Sequence, residues 1–146
     1  MITLRHFENK DSLILKKYKF NDKTLDEIAD IINKWQELEY NGKYFEMFAV
    51  CNEDRVVGSI SLYQHGDYII SIGPEIYAEF RRQNLAYEGM KRALNLAREK
   101  GYKIVSAQIR TDNSASINLH KKLGYILDGE YINKKGNPVY IYLKLL

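Results

Sequence analysis

The sequence predicts an α/β sandwich on a mixed sheet, mostly antiparallel, with one parallel β-α-β crossover. Three observations carry this. The apolar, strand-like runs "YFEMFAVCN", "RVVGSISLYQ" and "YIISIGPEIYA" follow one another through the short turns "NEDR" and "HGD", and turns that short imply antiparallel neighbours. The apolar spacing then changes to a helical repeat over Leu85, Ala86, Gly89, Met90, Ala93, Leu94 and Ala97. A further strand, "YKIVSAQIRT", follows that helix, and a strand-helix-strand series closes as a right-handed crossover between parallel strands. Along the whole chain this makes a three-layer sandwich of about seven strands and about four helices.

The elements follow in order. "MITLRHF" alternates Ile2, Leu4 and His6 against polar positions, a short strand. "NKDSLILKKYKF" reads as a short helix capped by Asp11 or Ser12. In "NDKTLDEIADIINKWQELEYNG", Thr24 and Glu27 form a capping box, and Leu25, Ile28, Ala29, Ile32 and Trp35 share one helical face. Asn41-Gly42 reads as the stop signal of that helix. Gly73-Pro74 interrupts the third strand run, which points to an edge or a bulge. Gly101 ends the long helix, "NSASINLHKKL" is a second, shorter one stopped by Gly124, and "YILDGEYI" and "PVYIYLKLL" close the chain as a hairpin through "NKKGN".

The 146 residues contain no repeat, low-complexity tract or Pro/Gly/Ser linker, so residues 1–146 are expected to be one domain. A chain of this size buries roughly 68–70% of its unfolded surface, enough for a real core. The net charge of +3 suits a small anionic ligand and gives no case for nucleic acid. The clusters Lys16-Lys17-Lys19 and Lys134-Lys135 read as solvated faces. Cys51 is alone in an apolar run, a buried thiol rather than a nucleophile. His6 and His65 have no partners at metal-ligand spacing, so no metal site is expected. No leader and no membrane-length apolar run is visible, which points to a cytoplasmic setting without membrane contact.

Ligands of open α/β sheets settle beyond the carboxyl ends of parallel strands. Here that means the turn after "EIYA" and the turn "TDN" after "AQIR". At the first, "EFRRQNLAYEGMKRAL" runs a polar mouth into an apolar helix. Free amides and partial positive charge at a helix start attract anions. Arg81 and Arg82 are either full charges added to that site or solvated surface residues.

"FRRQNLA" resembles motif A of the GCN5-related N-acetyltransferases (GNAT family), Gln/Arg-x-x-Gly-x-Gly/Ala, over Arg81, Arg82, Gln83, Asn84, Leu85 and Ala86. "DNSASINLHKKLGY" resembles the family's motif B over Asn113, Ser116, Leu119, His120, Lys122, Gly124 and Tyr125. The stretch "IGPEIYAEFRRQNLAYEGM" is most similar to the ribosomal-protein N-acetyltransferase branch. The resemblance implies a GNAT-like fold and transfer of an acetyl group from acetyl-CoA to an amine within a ternary complex. It implies that the pyrophosphate rests on the amides of Arg81 to Ala86, and that pantetheine pairs with the backbone at Ile76 and Tyr77 beside a strand bulge. It implies cofactor contacts from Asn113, which is also a helix cap, and from Ser116, which is otherwise structural.

Two positions depart from the pattern. Asn84 stands where the motif has its first glycine, and Asn is the residue that best tolerates left-handed φ after glycine. His120 stands where the family places a tyrosine that protonates the leaving thiolate, and its free pKa of about 6.5 suits proton transfer near neutrality. Glu75 is the first candidate for the general base, with Glu46, Glu79 and Tyr77 behind it. The acceptor is expected to be a small-molecule or peptide amine. A non-catalytic acyl-CoA sensor and a small basic RNA-binding module are the competing classes. Oligomeric state, a homodimer included, stays open.

Overall fold

The structure, a computed structural model, describes residues 1–146. Eight strands and four helices follow in the order β1 (Ile2–His6), α1 (Ser12–Tyr18), α2 (Leu25–Trp35), β2 (Glu39–Tyr40), β3 (Lys43–Asn52), β4 (Arg55–Gln64), β5 (Ile69–Ile76), α3 (Leu85–Glu99), β6 (Ile104–Arg110), α4 (Ser114–Lys122), β7 (Ile126–Ile132) and β8 (Pro138–Leu145). The sheet runs β1-β3-β4-β5-β6-β8-β7, with the two-residue β2 attached to β3. Every pairing is antiparallel except β5 with β6.

Strand parity sorts the residues between two helical layers. A Cβ on Gly89 of α3 would meet Ile60 and Val50 side chains, so the even residues of β3 and β4 face α3. Lys122 at the end of α4 lies over the Tyr87 ring of α3, so α4 shares that face. On the other face Tyr18 of α1 stacks on Tyr77, and Trp35 of α2 packs against Phe7. The core between the layers includes Leu15, Ile28, Val50, Ile60, Leu62, Ile70, Met90 and Val105, all essentially inaccessible.

Three local expectations are corrected. Asn41-Gly42 does not end α2, which stops at Trp35. Both residues take positive φ (52° and 78°) and close the β2–β3 hairpin, the backbone that an Asn-Gly turn supplies. The extra strand β2 arises from that turn. Asp11 does not cap α1 with its side chain. Its Oδ2 accepts the Glu8 N–H (2.8 Å), and both its oxygens accept from Arg5 (2.8 and 3.0 Å). Burial would raise the Asp11 carboxyl, but these hydrogen bonds and the Arg5 charge outweigh it and hold it below its ordinary value. Finally, Gly73-Pro74 makes no bulge. β5 pairs with β4 in unbroken register from Gly58↔Ile76 to Gln64↔Ile70. The register shifts lie elsewhere, at Val57 of β4 opposite the Val50–Cys51 step of β3 and at Asp128 of β7. Thr24 and Glu27 do form their reciprocal capping box.

Candidate active site

β5 and β6 pair only over Ile69–Ser71 and Ile104–Ser106. Beyond Ser71 they diverge, while β5 stays bonded to β4 and β6 to β8. The Tyr77 N–H donates to Val57 O (2.9 Å). By alternation, the amide positions of Ile72, Pro74 and Ile76 therefore face the gap rather than β4. Pro74 has no N–H to lose, which is why the proline is tolerated at this point of an interior strand. The splay thus comes from the end of parallel pairing and not from a bulge. Tyr77, with its N–H already bonded to β4, offers the gap no donor, whereas Ile76 does.

A cavity of about 280 Å³ fills the gap. Ile72, Gly73 and Pro74 line it from β5, Ala107 and Ile109 from β6, and Ser116 and His120 from α4. A row of small polar side chains, Ser61, Ser71, Ser106 and Gln108, completes it from three adjacent strands. The odd residues of β4 and β5 face α1 and α2, so the cavity passes through the sheet. Its two mouths differ: apolar residues, Ser116 and His120 on the α3/α4 side, and Ser61, Ser71, Ser106 and Gln108 on the other.

The wide end of the gap opens on the turn before α3. Asn84 takes the left-handed conformation (φ 63°, ψ 18°) and makes no side-chain cap, so the turn expected of a glycine forms with Asn. Arg82 is also left-handed (φ 66°). The Glu88 N–H reaches Asn84 O, and the amides from Arg82 to Tyr87 bond to nothing in the protein. Six consecutive uncommitted donors at the positive end of a 15-residue helix form a cradle for an anion. Gln83 is exposed and Ala86 half-buried in this turn, while Leu85 is buried and anchors it. Arg81 Nε donates to Ile76 O (2.9 Å), which ties the turn to the end of β5. Lys122 Nζ crosses from α4 to donate to Asn84 Oδ1 (3.1 Å). This cation escaped sequence reasoning, although it is part of motif B.

His120 is 3% exposed. Its Nδ1 lies 2.7 Å from Ser116 O, and since a carbonyl only accepts, Nδ1 carries the proton. Nε2 has no partner in the protein, and the ring meets Tyr125 edge-on. Burial lowers the pKa, against a smaller upward effect of the Ser116 carbonyl. At neutral pH the ring is therefore neutral, with a lone pair at Nε2. Asn113 Oδ1 accepts from Ser116 N–H (3.2 Å), so Asn113 is the cap of α4 and lies outside the cavity lining.

The carboxylates are not at the cavity. Glu75 faces α1 and pairs with Lys19 (3.2 Å). Glu79 bonds the Tyr18 hydroxyl and lies 3.7 Å from Lys17 Nζ. Glu46 is buried between His6 Nε2 (2.5 Å), the Tyr44 hydroxyl and Lys100 Nζ (3.7 Å), where it holds the end of α3 to the sheet. The Tyr77 hydroxyl is buried without a partner under α1. The serine row was legible in principle: small polar residues stand at in-phase positions of "SIS", "SIG" and "VSAQ".

Comparison with known proteins agrees with this geometry. The acetyltransferase (GNAT) domain model matches residues 2–126. The chain belongs to the GNAT family. Among solved structures, this GNAT domain superposes on a spermidine N-acetyltransferase chimera from Vibrio cholerae and hSSAT (TM-score 0.79, 17% identity, 99% of this chain and 95% of that one). It also superposes on a microcin C7 self-immunity acetyltransferase solved with acetyl-CoA and AMP (0.82, 17%, 99% and 92%). A third match is the Salmonella typhimurium acetyltransferase that modifies the N-terminal serine of ribosomal protein L7/L12 (0.82, 15%, 99% and 95%). At these identities the likeness is one of fold. It bears out the sandwich, and the domain match bears out the GNAT resemblance read from the motifs; the enzyme class of the family is acyltransferase.

Proposed function

We propose that this chain transfers an acetyl group from acetyl-CoA to a primary amine by direct attack in a ternary complex. The observation that carries the reading is the continuity of the site. Uncommitted amides from Arg82 to Tyr87 open onto a gap between β5 and β6, and that gap leads to a cavity through the sheet. The residues fit acetyl-CoA. The amides of Arg82 to Ala86 hold the pyrophosphate, with Arg81, Arg82 and Lys122 adding charge. Gln83 and Leu85 shape the turn, and the Ile76 backbone offers the gap its N–H. Asn113 and Ser116 approach from the start of α4. When bound, acetyl-CoA supplies an activated acetyl thioester.

His120 is the proton-handling residue on the α4 side. With Nδ1–H fixed by Ser116, protons enter and leave the ring only at Nε2, which first accepts the proton that the attacking nitrogen sheds as the new C–N bond forms and then passes it to the sulfur as the C–S bond breaks. Glu75, held by Lys19 on the opposite face, acts on the charge of the approaching acceptor rather than on its proton. The acceptor is a small-molecule or peptide amine, the class represented by spermidine and an N-terminal serine in the relatives.

One observation favours a second reading, an acyl-CoA sensor: Pro74 removes an N–H from the row that faces the gap. The deciding measurement is thiol release from acetyl-CoA across polyamines, aminoglycosides, amino acids and peptide N-termini. Acceleration by at least one amine is expected, together with a loss in His120→Phe that varies with pH. Tight acetyl-CoA binding without acceleration by any amine would leave the sensor.

A further inference from the structure

We propose that Ser71 and His65 form the proton exit for the acceptor: Ser71 Oγ takes a proton from the incoming ammonium while its own hydroxyl proton passes to His65 Nε2. The proposal rests on the acetyl-transfer reading. It begins from the position of Ser71, an odd residue of β5 that lines the cavity on the α1/α2 side, opposite His120. His65 Nε2 lies 2.8 Å from Ser71 Oγ. His65 itself is exposed in the β4–β5 turn, so the pair spans from the cavity wall to bulk water.

The geometry of the turn is fixed. His65 N–H donates to Ile69 O (2.9 Å), and Lys43 Nζ donates to His65 O (2.9 Å). The Tyr63 ring meets the imidazole edge-on at 5.3 Å. The groups that face His65 are thus Lys43 from β3, Tyr63 from β4 and Ser71 from β5, with Asp67 beside it in the turn. Partial burial, then the Lys43 charge, lowers the His65 pKa, so the ring is neutral at neutral pH, and in its Nδ1–H tautomer Nε2 accepts from the Ser71 hydroxyl. No carboxylate lines the cavity, so a base reached through Ser71 answers the question that Glu75 does not.

The step balances. An ammonium N–H bond breaks and its electron pair stays on nitrogen as the neutral amine. An O–H bond forms at Ser71 as the older one breaks, an N–H bond forms at His65 Nε2, and the imidazolium releases one proton from Nδ1 to water; exchange with water then moves the remaining ring proton from Nε2 back to Nδ1, which restores the accepting tautomer for the next turnover. Ser71 touches the acceptor and His65 acts through it as a positioning base.

The test compares His65→Gln and Ser71→Ala with the parent. General-base assistance contributes about 10²-fold or more. The expected result is a loss of kcat/KM for the amine of about 10² at pH 7 that shrinks towards parity as pH approaches the amine's own pKa, where neutral amine no longer needs a base. A loss of equal size at every pH, or no loss, overturns the relay. So does acetylated Ser71 in the mass spectrum, which would make it a nucleophile. A second readout needs no turnover. In the ligand-free protein, NMR titration should show His65 below the ordinary histidine value, and Ser71→Ala should raise it, because the serine hydroxyl stabilises the neutral ring. An unmoved His65 pKa overturns the pairing. Failure of the parent to acetylate any amine overturns the acetyl-transfer reading and the relay with it, whereas turnover with a pH-flat His65→Gln defect overturns the relay alone.

Discussion

Asn84 is the position where stability and cofactor grip can be separated. It occupies left-handed backbone at the mouth of α3 and accepts a hydrogen bond from Lys122. A non-glycine residue in that region costs roughly 1–2 kcal/mol, and Asn less than most. The exposed bond to Lys122 contributes about 0.5–1 kcal/mol. Asn84→Ala loses both advantages and should destabilise the fold by about 1–2 kcal/mol. Asn84→Gly relieves the backbone but loses the bond and adds unfolded-state freedom worth about 0.5–1 kcal/mol, so its stability should stay near that of the parent. Binding should move differently. In Asn84→Gly the Lys122 ammonium is released yet remains over the Tyr87 ring at 4.1 Å, close to the amide cradle. One further partly screened cation adds about 0.4–1 kcal/mol to an anion, a 2- to 5-fold lower Kd for CoA. Urea denaturation and calorimetric titration with CoA at two salt concentrations read the two effects, and the gain should fade at high salt. Weaker CoA binding by Asn84→Gly, with stability unchanged, would refute the placement of the pyrophosphate on this turn.

Two further outcomes follow from the framework around the cleft. A Cβ on Gly58 would sit 2.1 Å from Glu75 O and 2.9 Å from Ile76 Cα. Gly58→Ala must therefore push β5 away from β4, with a cost of about 2–4 kcal/mol in urea denaturation and weaker CoA binding; a change below about 0.5 kcal/mol would show that the two strands do not meet in this register. Asp11→Asn removes the charge from the Arg5 pair and should lower stability by about 1–2 kcal/mol at pH 7. The Asp11 pKa is depressed in the fold, so its contribution is complete above the unfolded value of about 3.9 and disappears as pH falls through the folded value. The gap between parent and variant should hold from neutral pH down to about pH 4 and shrink as pH falls further; a gap that stays constant throughout acid titration counts against the pair.

What the sequence made legible is what local rules decide. Thr24 and Glu27 bond only each other's backbone, so four residues contain the whole argument. The α3 face is periodic, and the tolerance of Asn84 for positive φ is a property of the residue itself. The errors came where a local signal had two uses. Asn41-Gly42 ends a helix or turns a hairpin with equal ease, and tertiary pairing of Glu39 and Tyr40 with β3 chose the hairpin. Pro74 signals an edge or a bulge, and the structure uses the edge locally: its nitrogen faces the gap where β6 has already left. The serine row and the His65–Ser71 contact were harder, because each needs the register of neighbouring strands. Glu75 stands next to the expected bulge in sequence, but strand parity sends its side chain to α1.

That same parity divides the chemistry. In β5 the side chains of Ile70, Ile72 and Ile76 face α3 and α4, and Ser71, Gly73 and Glu75 face α1 and α2. The amide cradle, Lys122 and His120 all lie on the first side, which is where the proposed acetyl transfer would bring in the acyl donor. Ser71 and His65 lie on the second, where the acceptor must arrive if the two are to meet through the sheet. A one-residue slip of β5 would exchange the faces, placing isoleucines before the acceptor and Ser71 among the core of α3. The register is held against that slip by the close approach of Gly58 to Glu75 and Ile76, which admits no side chain, and by the Tyr77 N–H bond to Val57. Under the proposed acetyl transfer, the residues that look merely structural at this strand pair would decide on which side of the thioester each proton is handled.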